Sequence, residues 1–300
     1  MEGSEEIVDD DGVSMTYCTE NLYSTDNRKI CFISDQPHIV KTARNCLSNS
    51  GSNKNSRLMW NNGKHLEWSH ISELFYEDVE CGFRVMPHLT YDHNRLNSYS
   101  IMNVRLAPQI LSSHTSKALL DYGNVDVKET AKFCSMMDEF FDIVNIRNDI
   151  EHKTKRKPNL KPFSSPDDPR LSWLVKDFLG YFTNWKKSIK NRPGDFDKDA
   201  QAKMFISRQT YEGLTITVHS IVECVKFLLQ NNICNYVLTE RFCQDPLENY
   251  FGRQRSIGSR KDNLTVRDVG YNDNTIRNQK VFRPIASGCL LYTSPSPRDS

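Results

Sequence analysis

Asp245 and Glu248 stand three residues apart, and a basic run of Arg253, Arg255, Arg260 and Lys261 follows. On a helix that spacing puts both carboxylates on one face. Carboxylates beside a basic strip suit a site where a metal ion meets phosphate. Hard divalent cations take oxygen ligands, and Lys and Arg neutralise a nucleic-acid backbone. The same spacing suits an amphipathic helix with a solvated acidic face, so both readings stay open. A further carboxylate, Asp35, closes the apolar run Lys29 to Ser34, KICFIS. The C-terminal ends of strands are where α/β sheets place functional groups. Asp35 would serve equally as a helix N-cap. Beside it, His38 reads as orienting the turn or as a core histidine, and Lys41 and Arg44 as exposed or close to phosphate.

These groups need elements to hold them. KICFIS is short and nearly all apolar, which predicts a strand buried on both faces. Pro37 then opens a helix from His38 to Leu47. Arg57 to Trp68 predicts a hairpin turning at Asn-Asn-Gly. A helix follows from His70 and ends at Cys81-Gly82. Helical spacing dominates Leu96 to Leu120, where Pro108 should kink or divide the element. Glu129 to Ile146 carries a broad apolar stripe of Phe133, Met136, Met137, Phe140, Phe141 and Val144. Lys153 to Pro169 reads as a linker rich in Lys and Pro. Leu171 to Ile189 is an aromatic helix, and Ala200 to Gln230 a long one with a break at Gly213. Pro246 suits the first turn of the helix that bears Asp245 and Glu248. Residues 256–285 read as an extended tail.

Composition bounds the function. The chain has 300 residues, a formal net charge of +1, 38% hydrophobic and 26% charged residues. That permits one large domain or two smaller ones, and it argues neither for nor against nucleic acid. The acidic residues 1–16 read as disordered. No apolar run approaches membrane-spanning length. The nine cysteines include no C-x-x-C pair, which suits reduced thiols in a cytosolic or nuclear protein. No pair has the spacing of a zinc site, and no Walker-type phosphate loop is present.

Two stretches carry a resemblance. QDPLENYFGRQR, from Gln244 to Arg255, resembles the C-terminal catalytic segment of P element-type transposases, the family that includes the THAP-domain transposases of animals. FISDQPHIVKTARN, from Phe32 to Asn45, is similar to a second family segment built around Asp-x-Pro-His. The resemblance runs from Tyr17 to Ile285. It implies an α/β fold: a partial RNase H-like catalytic core interrupted by a mainly α-helical insertion that binds GTP.

The resemblance implies a division of the chain. Residues 17–66 and 200–260 form the RNase H-like parts, 67–190 the helical insertion and 261–288 a basic tail. Residues 289–300 fit nothing before them and look like a non-native, adapter-derived tail. By the same resemblance Asp35 and Glu248 are catalytic ligands of Mg2+ or Mn2+, which serves metal-dependent strand cleavage and transfer. The basic residues Arg253, Arg255, Arg260 and Lys261 become DNA contacts. Guanine falls to Phe141, Asp142 and Asn145, the aromatic stacking and the Asp accepting N–H bonds. His88 and Asn103 occupy the places of two phosphate-side lysines, with Val104 alongside, and Asp245 contributes where nucleotide and catalytic sites meet. Losing two ammonium groups weakens the hold on a triphosphate.

The family's first strand and its Asp find no room before Tyr17, and neither does its THAP zinc module. The expectation is therefore an N-terminally truncated, nuclear transposase fragment, inactive alone and homo-oligomeric when complete, with DNA and GTP as partners. The rival readings are a domesticated non-catalytic DNA- or GTP-binding protein and a pseudogene remnant. A sheet short of strands also exposes an edge.

Overall fold

The computed structural model describes residues 4–9, 11–24, 28–51, 56–123, 125–257 and 263–282. Two compact units emerge, Met1–Cys243 and the part from Gln244 onward.

The first unit begins with three antiparallel strands in the order β1 (Ser4–Val8), β2 (Ser14–Glu20), β3 (Lys29–Cys31). For the described residues 4–9 and 11–16 this corrects the expectation of disorder. Apolar Ile7, Val13 and Met15, half-buried or buried, give the hairpin something to pack. The acidic residues find counter-ions as well: Lys186 Nζ lies 2.7 Å from Asp9 and 2.8 Å from Asp11. β3 departs from expectation too. Ile30 and Phe32 are 44% and 45% exposed, because β3 pairs only with β2 among the described strands and lies at the sheet edge.

Asp35 caps α1 (Gln36–Ser48), accepting from the His38 amide at 3.2 Å, with Pro37 in the first turn. β4 (Trp60–Asn61) and β5 (Lys64–His65) form the expected hairpin. Its turn residues Asn62 and Gly63 have φ of 46° and 81°, the left-handed pair that tight hairpins require. α2 (Trp68–Glu80), α3 (Tyr91–Asn94), α4 (Leu106–Ile110) and α5 (Ser113–Tyr122) follow. Pro108 sits inside α4, and the division falls just after it, where Ser112 caps α5.

α6 (Lys128–Val144) is the helix the apolar stripe predicts. Its Phe133, Met137 and Phe140 are fully buried, and Phe140 stacks on Phe178 at 4.5 Å. The supposed linker after α7 (Glu151–Thr154) is packed. Phe163 is fully buried and bridges to Val237, and the Arg170 guanidinium lies 4.1 Å over its ring. An aromatic residue gained more by burial than a linker would gain by freedom.

α8 (Pro169–Trp173), a wide π turn at Leu174–Phe178 and α9 (Leu179–Lys190) form one aromatic stretch. Next come α10 (Lys198–Lys203) and α11 (Arg208–Gln230). The predicted long helix breaks at Met204–Ser207, where three apolar side chains turn into the core and Ser207 caps the new helix. Gly213 lies inside α11 instead of breaking it. α11 backs the sheet: Ser220 Oγ donates to the Tyr17 carbonyl at 2.9 Å, and Thr217 Oγ1 accepts from the Ser34 amide at 3.0 Å.

The second unit pairs α12 (Asp245–Ser256) with α13 (Val266–Phe282). The expected extended tail is thus largely helical. Thr265 and Asp268 bond each other's amides at 3.2 and 3.0 Å, a capping box written as T-V-R-D in the sequence.

Candidate functional site

Three groups of predicted residues can be placed. The first is Asp35. It is 8% exposed, and the His38 Nε2 lies 4.0 Å from its Oδ2. A rigid helix start therefore holds this carboxylate. Lys41 and Arg44, read as exposed or close to phosphate, are buried. Arg44 is fully enclosed, and its Nη2 donates to the carbonyls of Ser100 and Ile101 at 3.3 and 2.9 Å. Burial with no carboxylate beside it pushes the guanidinium down to about 10. Arg44 is thus a structural tie between α1 and the 97–104 turn.

The second group is at the end of α6. Phe141 packs against the core, Asp142 is half-buried beside it, and Asn145 is buried just past the helix. Asp142 already has a partner that the sequence reading missed: Lys157 Nζ lies 2.8 Å from Asp142 and 3.0 Å from Asp138. Burial nevertheless raises the Asp142 carboxyl to about 6, the Lys157 bond opposing it. A cavity of about 210 Å³ adjoins the pair, lined among others by Ser113, Asp138, Asp142 and Lys157. That is below the roughly 300–1,000 Å³ of ordinary ligand pockets.

His88 stands outside this cavity, edge-on to His114 at 5.8 Å. His114 adjoins Ser113 in sequence, so His88 lies near that end of α5. Its pKa is lowered, by burial first and then by His114, so it carries little positive charge at neutral pH. Asn103 Oδ1 accepts from the Arg105 amide at 3.0 Å. Asn103 and Val104 follow directly on the turn that Arg44 holds.

The third group lies on α12 of the second unit. Asp245 and Glu248 are both exposed in its first turn, and Arg253 and Arg255 lie in its last. That charge order suits the helix dipole at both ends. Gln254 is fully buried, with Nε2 donating to the Tyr250 hydroxyl at 2.7 Å. Tyr250 in turn donates to Asp273 at 2.9 Å, and Asn272 donates to the Gln254 carbonyl at 2.9 Å. These bonds fix the rotation of α12 against α13 and leave the acidic first turn in solvent. Arg260 and Lys261 lie outside the described residues.

A missed residue such as Lys157 had one sequence signal, the density of lysines between 153 and 161. No helix among the described residues is long and apolar enough to cross a membrane.

A family model described as TNP-like, GTP-binding insertion domain matches residues 37–157. The Transposable element P transposase of Drosophila melanogaster is 26% identical over 274 residues, which covers 90% of this chain and 33% of that protein. The chain thus spans about a third of that relative's length. Among solved structures, the Drosophila P element transposase strand transfer complex matches with a TM-score of 0.62 at 25% identity, covering 83% of this chain and 52% of the matched one. Insertion-domain match, sequence and mostly helical α/β fold point the same way: this chain is similar to a P element-type transposase, with an architecture consistent with an RNase H-like core that carries a helical insertion.

Proposed function

We propose that this chain is part of a DNA transposase that cuts and joins DNA strands with divalent metal ions. The observation that supports it best is a likeness in both sequence and fold to one transposase over most of the chain. In this reading Asp35 and Glu248 are metal ligands. Their chemistry fits: both offer carboxylate oxygens, the donors that Mg2+ or Mn2+ prefers. Metal ions held there would supply activation of the attacking oxygen and stabilisation of the leaving one. Asp35 keeps its position through the α1 cap, while Glu248 projects from an exposed first turn. Arg253 and Arg255, with Arg260 and Lys261 beyond them, follow the phosphate backbone. Nuclear localisation and homo-oligomerisation go with this reading.

The insertion supports a guanine nucleotide at Phe141, Asp142 and Asn145. Guanine presents N–H donors and needs an anionic acceptor, and Lys157 holds Asp142 at present. Binding therefore begins with release of that ion pair, which makes GTP a weak ligand here. The replacement of two lysines by His88 and Asn103 weakens it further.

The test is Glu248→Gln in a transposition-competent protein that carries this segment. Excision should fall by at least about a thousandfold, since a metal ligand is lost, with the melting temperature unchanged. Normal excision removes Glu248 from the metal site and favours a non-catalytic DNA-binding role.

A further inference from the structure

Three thiols from three elements meet where α11 backs the N-terminal sheet: Cys18 of β2, Cys31 of β3 and Cys224 of α11. Each is free. Cys18 and Cys31 stand opposite each other in the antiparallel register. The adjoining Tyr17–Phe32 pair carries the ladder bond, the Phe32 amide donating to the Tyr17 carbonyl at 2.9 Å. Cys18 and Cys31 therefore occupy a site without ladder bonds, where opposed side chains come closest. Cα atoms at such a site are about 4.5 Å apart, within the roughly 4.4–6.8 Å that a disulfide spans. Their sulfurs are 3.2 Å apart. Ile30 and Phe32 face outward, so Cys31 between them faces α11. Cys224 lies two turns beyond Thr217 and shares its sheet-facing side. The Lys29–Glu223 ion pair, at 3.1 Å, holds this part of α11 against β3.

The three thiols are not equivalent. Cys18 is fully buried, whereas Cys31 and Cys224 are half-buried and open to a small solute. Buried cysteines commonly serve as small apolar residues, but two accessible thiols in contact invite oxidation. A hydrogen bond from Cys31 lowers the Cys224 thiol below its ordinary pKa, with burial opposing. That bond first, and burial second, raise Cys31. Burial first, and then Cys31, raise Cys18 to about 12. Cys224 is thus the thiol readiest to ionise, to attack and to leave. The three sulfurs do not all lie within 4.8 Å of one another, so they form a chain through Cys31 and no trigonal metal cage.

We propose that the cluster is a thiol relay, oxidised by hydrogen peroxide, that ends in a Cys18–Cys31 disulfide. The Cys224 thiolate attacks one peroxide oxygen. The O–O bond breaks, an S–O bond forms, and the hydroxide that leaves is protonated to water. The sulfur has lost two electrons and is a sulfenic acid. The Cys31 thiol attacks that sulfur, forming Cys31–Cys224, and its proton leaves with the hydroxyl as a second water. Cys18 then attacks Cys31. The Cys31–Cys224 bond breaks, and Cys224 leaves and takes up the Cys18 proton. The sum is two thiols and one hydrogen peroxide giving one disulfide and two waters. In a reducing compartment such a disulfide is transient, as in redox sensors. No step depends on DNA, metal or nucleotide.

The test is oxidation of the full chain with limiting hydrogen peroxide, followed by N-ethylmaleimide and non-reducing tryptic mass spectrometry. Trypsin cuts after Lys29, so a disulfide alone keeps the Cys18 and Cys31 peptides together. The Cys18–Cys31 link should form ahead of any oxidation of the exposed Cys81. Cys224→Ser should slow it by about ten-fold or more, because the remaining thiols are less acidic. Cys18→Ser should stop the relay at Cys31–Cys224. Cys31→Ser should leave a Cys224 sulfenic acid that dimedone traps. Melting temperatures of the reduced variants check that the fold is kept, and the parent chain's own map needs no variant. Oxidation of Cys81 ahead of the cluster, or no peptide linked through Cys31, overturns the proposal. So does a Cys224→Ser chain that links Cys18 to Cys31 at the parent's rate.

Discussion

Asp142 shows what a half-buried carboxylate does to stability. Its pKa is about 6 in the folded chain against an ordinary 3.8, so the folded state takes up a proton that the unfolded state does not between these values. Stability therefore rises as pH falls through about 6 and levels off near 4. Above pH 6 the charged Asp142 lowers stability, by at most about 3 kcal/mol for a shift of roughly two units. Asp142→Asn removes that cost and leaves Lys157 paired with Asp138 at 3.0 Å. The variant should melt higher than the parent at pH 7.5, and the gap should close below pH 4. A lower melting temperature at pH 7.5 would mean that the Lys157 ion pair outweighs burial. Nothing in the F-D-x-x-N spacing announces this partner, because Lys157 lies more than a helix away in sequence and meets Asp142 only in the fold. Arg44 was misread for a related reason: a cation after Asp-x-Pro-His looks like a phosphate ligand until the carbonyls of Ser100 and Ile101 are seen to claim it.

At the scale of elements, periodicity was a reliable guide wherever one helix face did the packing. The α6 stripe, the Asn62–Gly63 turn and the Asp245–Glu248 helix all stand where their spacing places them. It failed where tertiary partners decided. The acidic N-terminal hairpin depends on Lys186, more than 170 residues away. The supposed linker is anchored by Phe163. Gly213 is the clearest case: a glycine reads as a break, yet α11 runs through it. A Cβ built there meets Ser34 Oγ at 3.5 Å and Ile39 Cδ1 at 3.8 Å, ordinary contact distances. Gly213→Ala should therefore stabilise α11 by up to about 1 kcal/mol, the helix-interior difference between the two residues. Thermal denaturation checks it. A loss of stability would mean that α11 and α1 cannot give at this contact.

The molecule as a whole divides where its apolar core ends. The buried cluster runs from Ile39 to Val237 and lies entirely within Met1–Cys243. A chain ending at Cys243 should therefore unfold cooperatively, with a melting temperature within about 2–4 °C of the parent, the shift that about 1 kcal/mol produces in a domain of roughly 150–250 residues. Circular dichroism on the shortened chain tests it; a broad, non-cooperative transition would show that the second unit completes the fold. The fold class was legible in the sequence because two long motifs carried it. The helical end of the chain was not, since its helix signal is a cap at Thr265 and Asp268 in place of an apolar stripe.

The Arg44 tie has a consequence for both halves of the first unit's chemistry. Asp35 caps α1, whose third turn grips the Ser100–Ile101 carbonyls that lead into Asn103 and Val104. One rigid rod thus touches the proposed metal ligand and the proposed nucleotide turn. Its grip is a buried cation on neutral carbonyls, so salt screens it little. A ligand that displaces the turn must move the rod or break the grip. In thermodynamic terms the two positions then share a coupling free energy, and coupling is reciprocal. Under the proposed assignments, the factor by which a nucleotide changes cation affinity at Asp35 would equal the factor by which the cation changes nucleotide affinity at the turn.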